Sequence, residues 1–289
     1  MTDTSQTVAP QPGAVDLHCH TTASDGFLTP EELIEKAAGL SMQALAITDH
    51  DTITGIAQAS AAAATADIQL VPGIELSSNS GTAEIHLLGY FVDPESELLA
   101  THLVWCQEKR LIRIEQICNR LTRAGRPLTM DDVLQFAGPG SAGRPHVAQA
   151  MIARGYVRTI GEAFQKYLGM GKPGYVRREN VTPEAAIGVI RSAGGAAVLA
   201  HPYATPSALP LLPDWIRAGL AGLEAWYGEY DPSSREHLAT LARQHGLIAT
   251  GGSDYHGDGF KEGRGLGTVT VPIETIEQLR AAAASGSAA

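Results

Sequence analysis

The chain has 289 residues and a formal net charge of −10, with 44% hydrophobic and 18% charged residues. Those figures suit one large α/β domain, or one domain carrying a smaller inserted one, with ample apolar residues for a core. The acidic balance excludes a scaffold that grips long nucleic acid through basic surface, though not nucleotides or short oligonucleotides held at metal ions.

Residues 1–13 are polar, contain two prolines and read as a frayed tail. They lack a charged-then-apolar signal pattern, and no apolar run reaches membrane-spanning length, so the chain reads as cytoplasmic. Cys19, Cys106 and Cys118 show no metal-type spacing, and their odd count gives no disulfide framework.

The first strand is expected at Ala14 to Leu17, inside VDLHCH. Period-two geometry then puts His18 and His20 on one face, a ready chelate for a divalent metal. A helix follows, with Thr29 as N-cap, Pro30 at the first helical position and Glu32 completing a capping box. The second strand, Ala44 to Thr48, closes on Asp49-His50-Asp51, and an alanine-rich helix covers Ile53 to Ala66. A third strand, Ile68 to Ile74, is interrupted by Pro72-Gly73 and ends at Glu75. A fourth, Ala83 to Val92, contains His86. This βαβα alternation implies a parallel sheet or barrel.

From Pro94 to Leu168 the signal is almost wholly helical. Asp93-Pro94 caps a long helix through Leu121, and shorter helices are expected at Met130 to Phe136, Pro145 to Ala153 and Ile160 to Leu168. The reading is a helical insertion over residues 94–180, dividing the α/β domain into 14–93 and 181–284. Alternation then resumes: a helix from Thr182-Pro183 to Ser192, a strand ending at His201, and a strand at Ala221 to Trp226. A helix at Pro232 to His245 precedes LIATGGSDYH, which delivers Asp254 and His256. LGTVTVP reads as a last strand, Ile276 to Ala284 as a closing helix, and 285–289 as a disordered tail.

Strand ends thus supply His18, His20, His50, Glu75, His201, Asp254 and His256, with Asp25 in the first loop. In a (β/α) barrel, functional side chains gather at the carboxyl ends of the strands. His86 fits less well, lying early in its run, unless that strand is short or reversed. His102, His237 and His245 fall in helices and read as solvated or capping. Six imidazoles with three carboxylates and no thiolate suit Zn, Mn or Fe(II). Nine ligands exceed one tetrahedral centre and serve two or three ions, with a carboxylate such as Glu75 able to bridge. Ions about 3.5–4 Å apart clamp a hydroxide and a phosphate oxygen for in-line displacement.

DLHCHTTASDG, ITDHDT, GIELS with EIH, AHP and GSDYH, in that order, resemble the motifs of the PHP (polymerase and histidinol phosphatase) superfamily of metal-dependent phosphoesterases. The resemblance covers Val15 to His256. It implies a distorted (β/α)7 barrel with a trinuclear site. On the matching positions one ion takes His18, His20, Glu75 and Asp254, a second Glu75, His86 and His201, and a third Asp25, His50 and His256. Asp49 orients a ligand, and His201, His256 and Asp254 are the catalytic candidates. The helical block makes the chain most similar to the branch of nucleoside 3′,5′-bisphosphate phosphatases and 5′–3′ exoribonucleases. The implied activity is hydrolysis of phosphomonoesters by a metal-bridging hydroxide.

For substrate, Arg144 and His146 near a helix N-terminus, and Lys172 in a Gly-Pro loop, are expected to hold a second phosphate. After AHP the chain continues YATPS where similar bisphosphatases place Gly-Arg, so one phosphate-binding arginine is lacking there. The expected partner is a small phosphorylated nucleotide or short oligonucleotide, with no membrane and no stable protein partner. Other readings are a histidinol-phosphate or other small-molecule phosphatase, an amidohydrolase, and a non-catalytic metal-binding module.

Overall fold

A computed structural model describes residues 12–137 and 140–286. Seven strands lie side by side in chain order: β1 (Val15–Cys19), β2 (Ala44–Ile47), β3 (Gln69–Ser80), β4 (Ala83–Tyr90), β5 (Ala196–Leu199), β6 (Leu220–Tyr227) and β7 (Ile248–Gly252). They form a nearly closed barrel. Helices α1 (Pro30–Gly39), α2 (Ile56–Ala66), α7 (Pro183–Ser192), α8 (Leu212–Ala218), α9 (Pro232–Gln244) and α10 (Glu274–Gly286) connect or cover them. Between β4 and β5 stand α3 (Glu97–Arg123), α4 (Met130–Ala137), α5 (Arg144–Ala153) and α6 (Ile160–Ala163), the last continuing as a π turn over Phe164–Leu168. No helix among the described residues is long and apolar enough to cross a membrane.

The α1 start is as expected: Thr29 caps Glu32 N, Glu32 reaches back to Thr29 N, and Pro30 opens the helix. Ser96 rather than Asp93 caps α3, its hydroxyl accepting from Leu99 N. Helix α8 has no counterpart in the sequence reading, because Pro206, Pro210 and Pro213 break the apolar pattern around Leu212 and Trp215, both buried. Helix α10 runs on through Ser285 and Gly286, into the expected tail. Most of the N-terminal tail, like residues 287–289, lies outside the described residues.

The sheet is not uniformly parallel. β4 pairs antiparallel with both β3 and β5, whereas the other neighbours run parallel. Only Gly81 and Thr82 separate β3 from β4, and a parallel partner needs a crossover of a dozen residues or so. Gly81 takes the left-handed conformation at φ 58° that the tight turn requires. Reversal carries the early residue His86 to the barrel end where the parallel strands finish, opposite Ser77. β3 does not stop at Glu75 either. Up to Pro72 it pairs with β2, and from Gly73 it pairs with β4, so Glu75 is mid-strand and level with His50 beyond the end of β2.

Closure between β7 and β1 uses a side chain. The fully buried Asp16 accepts from Ser253 N (2.9 Å), Ser253 Oγ (2.5 Å), Gly267 N (3.0 Å) and its neighbour His18 N (3.3 Å). Gly252 packs so closely on β1 that a Cβ there would sit 2.4 Å from His18 N. LGTVTVP forms no strand. Its hydrogen bonds to β1 are three, Val15 N to Thr270 Oγ1, Val271 N to Val15 O and Gly267 N to Asp16 Oδ2, and the last goes to the side chain of β1 instead of continuing a backbone ladder.

Three apolar clusters line or flank the barrel, and a fourth is drawn wholly from residues 114–176, around Ile117, Leu121, Val133, Val147 and Met151. Asp16→Ala leaves Ser253 N and Gly267 N buried without acceptors, at about 1–3 kcal/mol each. Urea unfolding should show a loss of about 3 kcal/mol or more. A loss under about 1 kcal/mol would mean that packing alone holds the seam.

Candidate metal centre

The nine candidate ligands converge at one end of the barrel. Glu75 is the hub. Its Oε2 lies 2.8 Å from His50 Nδ1, 3.4 Å from His20 Nε2 and 3.5 Å from His18 Nε2. Its Oε1 lies 2.9 Å from both His86 Nδ1 and His201 Nε2. Asp254 Oδ1 stands 3.1 Å from His20 Nε2, 3.5 Å from His18 Nε2 and 3.4 Å from His256 Nδ1. Asp25 Oδ1 is 3.3 Å from His256 Nε2. Ligand atoms fall into three overlapping groups, each within 4.8 Å: His18, His20 and Asp254; His50, Glu75 and His86; and His20, Asp25, His50 and His256.

A fit to cations is testable on the atoms themselves. His18 Nε2, His20 Nε2, His50 Nδ1, Glu75 Oε2 and Asp25 Oδ1 are all buried and make no hydrogen bond. Buried polar atoms are almost always satisfied, and five orphans aimed at one another are a donor set awaiting a cation. The backbone is bent to serve this geometry: Asp51, His201 and Asp254 hold φ of 50°, 28° and 54°. Such conformations cost about 1–3 kcal/mol each and persist where surrounding structure enforces them.

Burial disfavours charge throughout, but the neighbours reverse it. Glu75, Asp25 and Asp254 are raised by burial yet held well below the usual carboxylate range, mainly by His50 and His86, by His256 and His50, and by His18 with Arg264 respectively. Burial lowers His86 and His256, but the carboxylates facing them lift these to about 10 and about 9. His20 falls to about 3 through burial, with His256 adding to the drop.

The groups behind the ligands were mostly not foreseen. Glu224, fully buried on β6, accepts from His18 Nδ1 at 2.8 Å and from His201 N at 2.6 Å. That fixes the His18 proton on Nδ1 and turns the Nε2 lone pair inward. Its signal was an acid inside the apolar run Ala221 to Trp226. Tyr227 donates to Asp254 Oδ2 (2.8 Å), and Arg264 pairs with the same oxygen (2.6 Å). Asp49 accepts from Thr21 N, Thr21 Oγ1 and Ser24 Oγ, whose Oγ also stands 3.5 Å from His20 Nδ1, so it pins the loop from His20 to Asp25 and reaches the His20 ring through Ser24. His102 is buried against Cys106 Sγ at 3.3 Å rather than solvated.

A cavity of about 110 Å³ adjoins the ligands, its lining including Asp25, His50 and His86 together with Arg110, Arg113, Arg144 and Arg178. Arg144 does line it, 3.5 Å from Glu84 and 5.5 Å above the Phe164 ring. His146 is buried outside it, its Nδ1 accepting from Gly143 N to shape the α5 start. Lys172 is exposed and also outside it. The sequence reading missed Arg110, Arg113 and Arg178, since arginines on a helix or in a loop pass for solvated ones. Arg110 and Arg178 both bond Asp51 Oδ2. Arg113 donates Nε to Val176 O, and its Nη2 is buried without a partner.

The PHP domain family matches residues 16–130. A 3′,5′-nucleoside bisphosphate phosphatase of Chromobacterium violaceum is 38% identical over 258 residues, 88% of this chain and 90% of that protein. A 5′-3′ exoribonuclease of Salmonella typhimurium is 38% identical over 251 residues, 83% and 84% of the two. Among solved structures, a metal-dependent phosphoesterase from Bifidobacterium adolescentis superposes with a TM-score of 0.87 at 32% identity, over 94% of this chain and 97% of that one.

Divalent metal should stabilise the fold through the orphaned ligands. With Mn²⁺ or Zn²⁺ at about 100 times its Kd the gain is about 2.7 kcal/mol, read as a rise in melting temperature that chelator reverses. Melting curves that superpose with and without metal would show that the cluster holds no dication.

Proposed function

The chain belongs to the PHP domain family, and on that premise we propose that it removes the 3′-phosphate of nucleoside 3′,5′-bisphosphates and also trims short 5′-phosphorylated RNA. One observation carries this reading: a single cavity joins the metal-type ligands to a set of arginines. A substrate with two phosphates has one for the ligands and one for the arginines.

Two to three divalent ions, of manganese, zinc or iron, are assigned to His18, His20, Asp25, His50, Glu75, His86, His201, Asp254 and His256. Five inward atoms without hydrogen bonds support that assignment. When bound, such ions polarise the phosphoryl group and acidify a water. The protein's part is positioning. Glu224 holds the His18 ring by its Nδ1 proton, and through His201 N it also anchors the strained turn after β5. Tyr227 and Arg264 hold one oxygen of Asp254, leaving Oδ1 toward His20. His201, His256 and Asp254 remain the residues assigned to catalysis, each having an atom within 3.5 Å of another ligand.

The second phosphate is assigned to Arg113 and Arg144. Arg113 offers a buried, unpaired Nη2, and its pKa is pulled down to about 9 by burial and by Arg144 beside it, a strain that an anion relieves. Among the described residues Arg144 pairs with one carboxylate, Glu84, at the long distance of 3.5 Å. Arg110 and Arg178 are already engaged by Asp51, while His146 shapes the α5 start and Lys172 lies outside this subsite. In this division residues 14–93 and 181–284 do the chemistry, and residues 94–180 act as the substrate cap.

Purified protein should contain two to three equivalents of metal and release phosphate from a nucleoside 3′,5′-bisphosphate, with chelation abolishing the reaction. A charged hydrogen bond contributes about 1.5–3 kcal/mol, so Arg113→Ala or Arg144→Ala should lower kcat/KM for the bisphosphate by roughly 10- to 150-fold. An aryl phosphate has no second phosphate and should be hydrolysed nearly as before. Equal losses on both substrates would remove these arginines from the second-phosphate site.

A further inference from the structure

The acidic protein is not acidic everywhere. Residues 94–180 carry 13 Lys and Arg against 8 Asp and Glu, while the rest of the chain carries 8 against 23. A polyanion is therefore repelled by the barrel exterior and attracted to the helical block. Within that block several cations pair with carboxylates, as Lys109 does with Glu179, Arg154 with Asp132 and Lys166 with Glu162. Arg120 and Arg126 make no ion pair among the described residues.

These two arginines continue the cavity. Arg113 and Ile117 of α3 line it, and Arg120 follows on the same helix face, one turn or about 5 Å further out. Arg120 Nη1 donates to Tyr175 O at 2.7 Å. The Arg126 guanidinium lies 5.7 Å from the Tyr156 ring and 5.9 Å from the Tyr167 ring. Tyr167 belongs to the same π turn as Phe164, the aromatic residue at the cavity rim, and π turns recur where a helix is reshaped for function. The deep cations Arg110, Arg113 and Arg178 are buried, whereas Arg144 and Phe164 are only partly so. A chain whose 5′-phosphate sits deep must leave past that rim.

We propose that Phe164, Tyr167, Tyr156, Arg126, Arg120 and Tyr175 form a track for single-stranded RNA leading outward from the cavity. Bases stack on the aromatic rings and on the flat guanidinium of Arg126, and Arg120 meets the phosphates, a combination that holds single strands without regard to sequence. The inference rests on the phosphoesterase reading above. It adds that the enzyme holds nucleotides beyond the one it cleaves.

The test is binding of a fluorescent 5′-phosphorylated hexaribonucleotide to chelator-treated protein, followed by anisotropy across a salt series, so that turnover plays no part. Arg120→Gln/Arg126→Gln should weaken binding about tenfold or more and flatten the slope of log K against log salt by about 0.7, the one phosphate that Arg120 neutralises. Arg120→Lys/Arg126→Lys should restore the slope. Both variants should keep wild-type kcat/KM for the nucleoside bisphosphate within about twofold, because the track lies past its last phosphate. Unchanged hexamer affinity and slope in the Gln variant would overturn the track. So would equal losses on hexamer and bisphosphate. Wild-type protein that binds the hexamer through these arginines yet releases no phosphate from the bisphosphate would leave the track standing and defeat the bisphosphatase reading.

Discussion

Everything at the functional end of the barrel is arranged around the Glu75 carboxylate. Five imidazoles approach its two oxygens within 3.5 Å, and the group is 1% exposed. Burying a carboxylate is expensive unless opposite charge gathers around it. The fold meets that demand by running β3 past the end of β2 and folding it straight back as β4. Glu75 on one strand and His86 on the next then face the same centre as residues from β1 and from the loops after β5 and β7. A uniformly parallel barrel would have sent His86 to the far end.

Two further buried acids do structural work nearby. Asp16 substitutes for ladder bonds across the seam between β1 and β7, and Glu224 joins the His18 ring to the turn at His201. Both stand on the strands that carry or adjoin ligands, so closing the barrel and aiming the ligands are one operation. Burial lifts the Asp16 pKa, its four hydrogen bonds only partly offsetting the desolvation. That residual cost is offset by a network in which every partner is fixed, and such networks specify a single geometry when complete.

Much of this was legible because strand ends are marked by short-range signals. Five of the histidines, with Glu75 and Asp254, stand at or near the ends of apolar runs, and the capping box of α1 is readable letter by letter. The exceptions have local causes. Glu75 looks terminal because Pro72-Gly73 resembles a stop, yet Pro72 lies where β3 leaves β2 for β4, and Gly73 sits close against Thr48 and Gly89, where a Cβ would be tightly packed. His86 looks misplaced in a parallel strand because the two-residue link Gly81-Thr82 is a hairpin turn that reverses β4. LGTVTVP has strand composition, but its Gly267 N bonds the Asp16 side chain instead of continuing a backbone ladder. Glu224 and Arg113 were invisible for a deeper reason: their roles depend on which residues face them across the fold, and no spacing along the chain encodes that.

The cationic pocket and the ligand cluster belong to different parts of the chain, and something must hold them in register. Asp51 does so. It follows His50 directly, is fully buried at its carboxylate, and takes Arg110 from α3 and Arg178 from the segment before α7 on one oxygen. Its other oxygen accepts from Ser77 N at 2.9 Å, two residues beyond Glu75. The Asp51 pKa is forced down by the two arginines against the opposing pull of burial, so the charge persists at any ordinary pH. Removing one partner of such a buried set typically costs about 3–5 kcal/mol, because it strands the remaining charge. The triad therefore fixes α3 to β3 and to the His50 loop at once. Arg113, one turn along α3 from Arg110, inherits its distance from His50 and Glu75 through that tie.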